Sequence, residues 1–550
     1  MILLVLLTAC GVNSDSSLPF SIFFDFDAEI KRLTEENPEV IKTILKDGIR
    51  ETITGTVNWS TEFQPFRESN INQPAFKDRY SMKEENAKGK KSVTYLALDS
   101  NLAVRSFSLE MEDDEVTGLH IKRRMENQVM EAIRTMSYIP GKKYHIKVDQ
   151  KVAYAFETQF EVVGDIMPNT PVWQGKLDME GKMLPFNFQL GDMKDGWQLT
   201  VFNSHERIEV DRVSVAHDSI MIDMPIFNSM IEGAFDGKTI KGHWHNLARG
   251  NDYAIPFIAE KGIADRFDIA SEAPVVDVTG HWEVAFSPDT EDEYPAVGIF
   301  EQEGNKVHGT FLTETGDYRY LEGVVDGNEL SLSAFDGSHA FLFKAKVQEG
   351  HITNGTFWSG THWSEPWQAV RNPEFELTHP DSLTYLKPGY EKFAFSFPDL
   401  EGNPVSLEDA KFHNKVVLVE VMGSWCPNCM DGTRFLNELN QKYGEQGLEI
   451  LALAFEKGTE EEARRQVLKH QRDLDANFTF LLAGEASKKV AEESLPMLNR
   501  VLSFPTAIFI DRSGNVRRIT TGFYGPGTSK YYTDFKARTE ALLEQLLREQ

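Results

Sequence analysis

Cys426 and Cys429 enclose Pro427 and Asn428 in a Cys-x-x-Cys motif, and a dense β-branched run, Val416 to Met422, leads through Gly423-Ser424-Trp425 straight into it. Phe435, Leu439 and Tyr443 then recur at helical spacing until Gly444 and Gly447 end the pattern. The motif therefore opens a helix. A thiol in the first helical turn faces unpaired N–H groups and the positive end of the helix dipole, which lowers its pKa and enriches the attacking thiolate. Cys426 occupies that place. Two intervening residues let Cys429 approach Cys426 and attack a mixed disulfide, releasing the reduced substrate. The expected chemistry is thiol-disulfide exchange, with the dithiol itself as the redox group and no other cofactor.

A Cys-x-x-Cys can also be half of a zinc site, but that needs two further ligands, and no second such motif or nearby Cys-x-x-His occurs. Glu420 lies six residues before Cys426, with Leu418 and Met422 as its alternation partners. Buried in a central strand, its carboxyl would be desolvated and its pKa raised, making it a proton acceptor for Cys429. A glutamate reaching solvent at the strand end is the plainer alternative.

The elements that position this motif follow in order. Leu448 to Phe455 is the next strand, Thr459 with Glu462 forms a capping box for a second helix, and Phe478 to Leu482 is a third strand. After a short helix, Thr506 to Ile510 and Val516 to Thr521 straddle a turn, and a terminal helix runs to about Arg548. Phe397-Pro398-Asp399-Leu400-Glu401-Gly402, Val405-Ser406-Leu407, Lys415 to Val419, Trp425-Cys426-Pro427-Asn428-Cys429 and Phe504-Pro505-Thr506 together resemble the TlpA/ResA-type thiol-disulfide oxidoreductases. The resemblance implies an α/β thioredoxin fold over 391–550 and a cis Pro505 facing the dithiol, with Trp425, Pro427 and Asn428 flanking it. It also implies exported, cysteine-containing proteins as substrates, apocytochromes awaiting haem among them, and a membrane thiol electron donor. Where many members carry a glutamate three residues after the second cysteine, this chain has Gly432, and Glu420 stands where many have asparagine. A peroxiredoxin-like peroxidase is a second possibility, but the proline and threonine of that family would fall at Val419 and Gly423.

The 550 residues exceed one core and point to several domains. A formal charge of -28 disfavours nucleic acid and anionic lipid as direct partners. The third cysteine, Cys10, closes Leu7-Thr8-Ala9-Cys10 after the apolar stretch Ile2 to Leu7, a pattern that resembles a bacterial lipobox. Residues 1–19 are thus expected to be a lipoprotein signal peptide and tether, with a lipid anchor at Cys10 on the extracytoplasmic, periplasmic side of a bacterial envelope.

Residues 20–170 are expected to form an α+β region, with helices over Glu29 to Arg50 and Met125 to Met136. An all-β middle follows as two related barrel or sandwich units, 171–274 and 275–371, divided by turn signals such as Asp236-Gly237 and Asp326-Gly327. Trp173 and Trp282 open similar stretches, and Ile240 to Trp244 is similar to Ile352 to Trp358. The cluster of Trp358, Trp363 and Trp367 suits a β core better than a ligand pocket. His243 and His245 could share a strand face, but no third metal ligand can be named. Pro373, Pro380 and Pro388 mark 372–390 as a linker. A third possible function is a surface lipoprotein whose β-units bind a ligand or partner, with the redox domain secondary.

Overall fold

Asp25 caps the first helix, Phe26–Glu36, by accepting from the Asp27 and Ala28 N–H groups. Asn37 then turns left-handed at φ 44° and Pro38 follows, so the helix cannot continue. The β-branched Val40, Ile41, Thr43 and Ile44 come next, and Glu39–Lys46 instead pairs antiparallel with Ile49–Thr56. The helix expected over Glu29 to Arg50 is therefore corrected to eleven residues. The one expected over Met125 to Met136 is two strands, Glu115–Glu126 and Met130–Ile139, because Ala132, Met136 and Tyr138 bury with the period of a strand. A nine-stranded antiparallel sheet dominates this region.

The computed structural model describes residues 20, 22–46, 49–87, 90–112, 115–126, 130–152, 157–166, 171–193, 196–263, 265–270 and 274–549. Cys10 and the expected leader and tether lie outside the described residues. The chain divides into two compact units, residues 1–170 and 171–550.

Within the second unit, two antiparallel sheets are built alike. In the first, Val172–Met179 pairs with the last strand, Ala254–Lys261. In the second, Gly280–Phe286 pairs with the last strand, Trp363–Arg371, and Tyr294–Glu303 with Lys306–Thr313, which closes the sheet into a barrel. Trp173 and Trp282 lie near the start of each first strand, and both are buried. Gly242 and Gly355 lie on the next-to-last strand of each sheet, where a Cβ would strike the neighbouring strand's backbone. The second sheet carries one extra residue there, Asn354 at φ 51°, in a bulge that puts Phe357 rather than Trp358 in the buried place matching Trp244. The tryptophan cluster accordingly splits. Trp367 is core, Trp358 is half-buried, and Trp363 is 53% exposed, outside the core expected for it.

The main sheet of the C-terminal domain has five strands, β1 Val416–Met422, β2 Leu448–Glu456, β3 Thr479–Glu485, β4 Thr506–Ile510 and β5 Val516–Thr521, in the order β3-β2-β1-β4-β5. The first three are parallel and β4 and β5 antiparallel. Its helices are α1 Pro427–Tyr443, α2 Glu460–Asp473, α3 Lys488–Ser494 and α4 Lys530–Arg548. This is a thioredoxin fold. Every residue of β1 is buried, as a central strand covered on both faces requires. Thr459 and Glu462 form the reciprocal capping box at the start of α2. The 372–390 segment is docked on the domain: Thr384 and Thr521 hydroxyls lie 2.7 Å apart, and Lys387 N–H donates to the Met497 carbonyl at 2.8 Å.

Candidate active site

Cys426 is the N-cap of α1, and its Sγ accepts the Cys429 N–H at 3.2 Å. This fixes the first sulfur against the unpaired N–H groups that favour a thiolate. The two cysteines are joined as a disulfide with Cα atoms 5.2 Å apart. Cys429 is fully buried, whereas Cys426 retains 6% exposure, so an incoming sulfur meets Cys426 first. The Phe504–Pro505 peptide is cis and leads into β4, and the Phe504 carbonyl lies 3.3 Å from Cys426 Sγ. Trp425 donates from its indole N–H to the Phe455 carbonyl at 2.9 Å. Asn428 donates to the Asp317 carbonyl of the barrel at 3.4 Å, and the barrel backbone comes so close there that a Cβ on Gly316, at φ 145°, would strike the Asn428 amide.

Glu420 is 3% exposed, and burial raises its pKa to about 8. Among the described residues its Oε2 has no hydrogen-bond partner. A Cβ on Gly432 would come within 2.6 Å of the other oxygen. Gly432 is one turn beyond Cys429, so both lie on one face of α1, with Gly432 against Glu420. A cavity of about 20 Å³ borders Glu420, Gly432 and Pro505, room for one water. Gly432 and Glu420 thus meet at one place.

The raised pKa has a consequence for stability. A neutral Glu420 suits the fold and a charged one does not, so its contribution is complete below pH 4.5 and is lost as pH rises through about 8. Glu420→Gln should remove that part of the pH dependence and gain stability relative to wild type above pH 8. Denaturant titrations across this interval check it; an unchanged profile would place Glu420 in contact with solvent.

Sequence reasoning missed several groups around the dithiol. Glu456, at the end of β2, accepts from the Ser424 N–H at 2.6 Å and its hydroxyl at 2.8 Å, holding the loop that presents Trp425 and Cys426. Burial raises its pKa to about 7. Arg319 of the barrel is buried in ion pairs with Asp431 on α1, Glu206 of the first sheet and Asp336 of its own barrel. Ser503 donates to the Thr315 carbonyl at 2.6 Å, and Asp473 on α2 accepts from Arg212 at 2.8 Å. Both β-units therefore hold the domain around its dithiol. Each of these pairs joins residues far apart in the chain, and no local pattern marks them. Elsewhere, His243 and His245 have rings 6.1 Å apart, and His245 faces Glu232 at 3.3 Å.

A cavity of about 730 Å³ opens on Cys426. Trp425, Asn428 and Phe504 line it from the thioredoxin fold, and Tyr294, Tyr318 and Trp363 from the barrel.

Residues 387–534 match the Redoxin family. The thiol-disulfide oxidoreductase ResA of Bacillus thuringiensis subsp. konkukian (strain 97-27) is 33% identical over 130 residues, 23% of this chain and 66% of that protein. ResA of Geobacillus thermodenitrificans (strain NG80-2) is 30% identical over 128 residues, with the same shares. The chain thus spans just under two thirds of the length of these curated relatives. A solved structure described as a putative thiol:disulfide interchange protein DsbE from Chlorobium tepidum is 23% identical, covering 28% of this chain and 98% of its own, with a TM-score of 0.22.

Proposed function

We propose, from the premise that residues 387–534 are a ResA-type thiol-disulfide oxidoreductase domain, that the whole protein is an envelope-anchored reductase of cysteines in exported proteins, apocytochromes among them. The observation that carries this is Cys426 capping α1 with Cys429 behind it and Glu420 beneath. Reduced Cys426 attacks a substrate disulfide, one substrate thiol leaves, and Cys429, deprotonated by Glu420, attacks Cys426 Sγ and frees the second. The dithiol is the only redox group this route needs. A membrane thiol donor restores it, and lipid on Cys10 holds the protein at the periplasmic side. Stopped-flow reduction of a disulfide peptide by pre-reduced protein tests the exchange itself.

The peroxidase alternative is disfavoured at Gly423, where a side chain would strike the Trp425 indole, leaving no place for the threonine that orients peroxide. Anchoring is tested by fractionation: Cys10→Ala should leave the precursor unprocessed or released from membranes. A soluble wild type with Met1 intact by mass spectrometry would remove the anchor.

A further inference from the structure

The cavity at Cys426 has walls from three parts of the second unit. Besides aromatic rings, it is lined by Arg249 from the first sheet and Lys457 and Lys488 from the thioredoxin fold. Arg249 and Lys457 act on one another there, in a chain with a net charge of -28. Lys457 Nζ lies 5.3 Å from the centre of the Trp425 ring and donates to the Ala248 carbonyl, next to Arg249, at 2.9 Å. Lys457 and Cys426 both line the cavity. Burial and their mutual repulsion both lower the pKa of Lys457, and burial lowers that of Arg249. His362, which also lines the cavity, is held neutral down to about pH 4 by burial and by the same Arg249. Two cations held close against their own repulsion make a site that a carboxylate would relieve.

Three carboxylates, Glu314, Asp317 and Glu365, also line the cavity, and the latter two are engaged within the protein. Glu365 accepts from Ser287, Tyr294 and Trp363, and Asp317 accepts from the Gly525 and Arg319 N–H groups. Glu456 is turned to Ser424. With Cys426 6% exposed at the bottom of a cavity walled by both β-units, an extended chain fits the approach to the sulfur better than a folded partner's surface.

We propose that the cavity receives an unfolded polypeptide segment whose reacting cysteine has an acidic side chain within one or two residues, the carboxylate lying against Arg249 and Lys457 while the sulfur meets Cys426. This rests on the exchange proposed above and names its substrate class. In the step itself, the Cys426 thiolate forms a bond to one substrate sulfur as the substrate disulfide breaks and the other sulfur leaves as thiolate. Cys429 then bonds to Cys426 Sγ, the mixed disulfide breaks, and the second substrate sulfur leaves. The enzyme dithiol loses the two electrons that the substrate disulfide gains.

The test uses the full chain, pre-reduced, in single turnover with three synthetic disulfide peptides that differ only in Glu, Gln or Lys beside the cysteine, with cystine as a free amino-acid disulfide. The Glu peptide should react about tenfold faster than the Gln peptide, the scale of one partly buried ion contact, and the Lys peptide slowest. The Glu-to-Gln ratio should fall towards one in Arg249→Gln and Lys457→Gln, and also in wild type at about 1 M salt, where charge is screened beyond about 3 Å. Equal rates for all three peptides would overturn the proposal while leaving the exchange intact, and no reaction with any peptide would overturn the exchange first. Cystine reacting faster than the Glu peptide would overturn the polypeptide assignment.

Discussion

Cys429→Ser should accumulate a covalent adduct on Cys426 in every turnover with a disulfide peptide, whereas Cys426→Ser should form none and lose all turnover. The difference follows from position. Cys426 caps α1 and keeps the residual exposure, while Cys429 is fully buried behind it. Substrate therefore meets Cys426 first, and its thiolate is the one the helix terminus stabilises. With Cys429 replaced, nothing attacks the mixed disulfide from within the protein, and its lifetime is set by external thiol alone. Turnover should fall by about a thousandfold or more in either variant, the scale reached when members of a catalytic unit are removed. Non-reducing mass spectrometry after quenching separates the two outcomes. An adduct on Cys429 in the Cys426→Ser protein, or undiminished turnover in Cys429→Ser, would reverse the assigned roles.

Arg319→Met should destabilise the second unit by about 3–5 kcal/mol, the cost of removing one member of a buried ion cluster. Arg319 and its partners Asp431, Glu206 and Asp336 are each no more than 10% exposed at their side chains. Although burial opposes its charge, Asp431, Glu206 and Asp336 outweigh that and hold the guanidinium firmly protonated. Without it, three carboxylates face one another where the two β-units meet α1. Glu206→Gln with Asp431→Asn in the same chain should recover part of the loss, since an unpaired buried charge costs more than a missing pair. Denaturant unfolding measures both. A loss within about 1 kcal/mol, the range of exposed ion pairs, would mean that the cluster is solvated and does not hold the domain.

What was legible in the sequence was local. The β-branched run of β1, the Cys-Pro-Asn-Cys turn and the Thr459–Glu462 capping box each specify their own element within a few residues, and the fold from 416 onward followed. The paired tryptophans of the middle sheets were legible as a repeat, though the single-residue bulge at Asn354 shifted which aromatic turns inward. The helix over Glu29 to Arg50 failed because its apolar spacing fits two periods, and the left-handed Asn37 with Pro38 decides between them. Glu420 was legible as a buried carboxylate from its neighbours in β1. Its contact with Gly432 was not, since that depends on how α1 crosses the sheet. The pairs of Arg319 with Asp431 and Glu206, and the Arg249–Lys457 wall, join residues more than a hundred positions apart, and only packing brings them together.

The most direct test of the central claim is the stoichiometry of one turnover in the unmodified protein. Fully reduced full-length chain is mixed with a limiting disulfide peptide, quenched by acid and alkylation, and mapped by mass spectrometry. One peptide disulfide should be reduced for each Cys426–Cys429 disulfide formed, through a transient peptide adduct on Cys426 that rises and decays before the final state. Peptide left oxidised while the pair stays reduced, or peptide reduced with Cys426 and Cys429 still alkylatable, would contradict thiol-disulfide exchange at this dithiol.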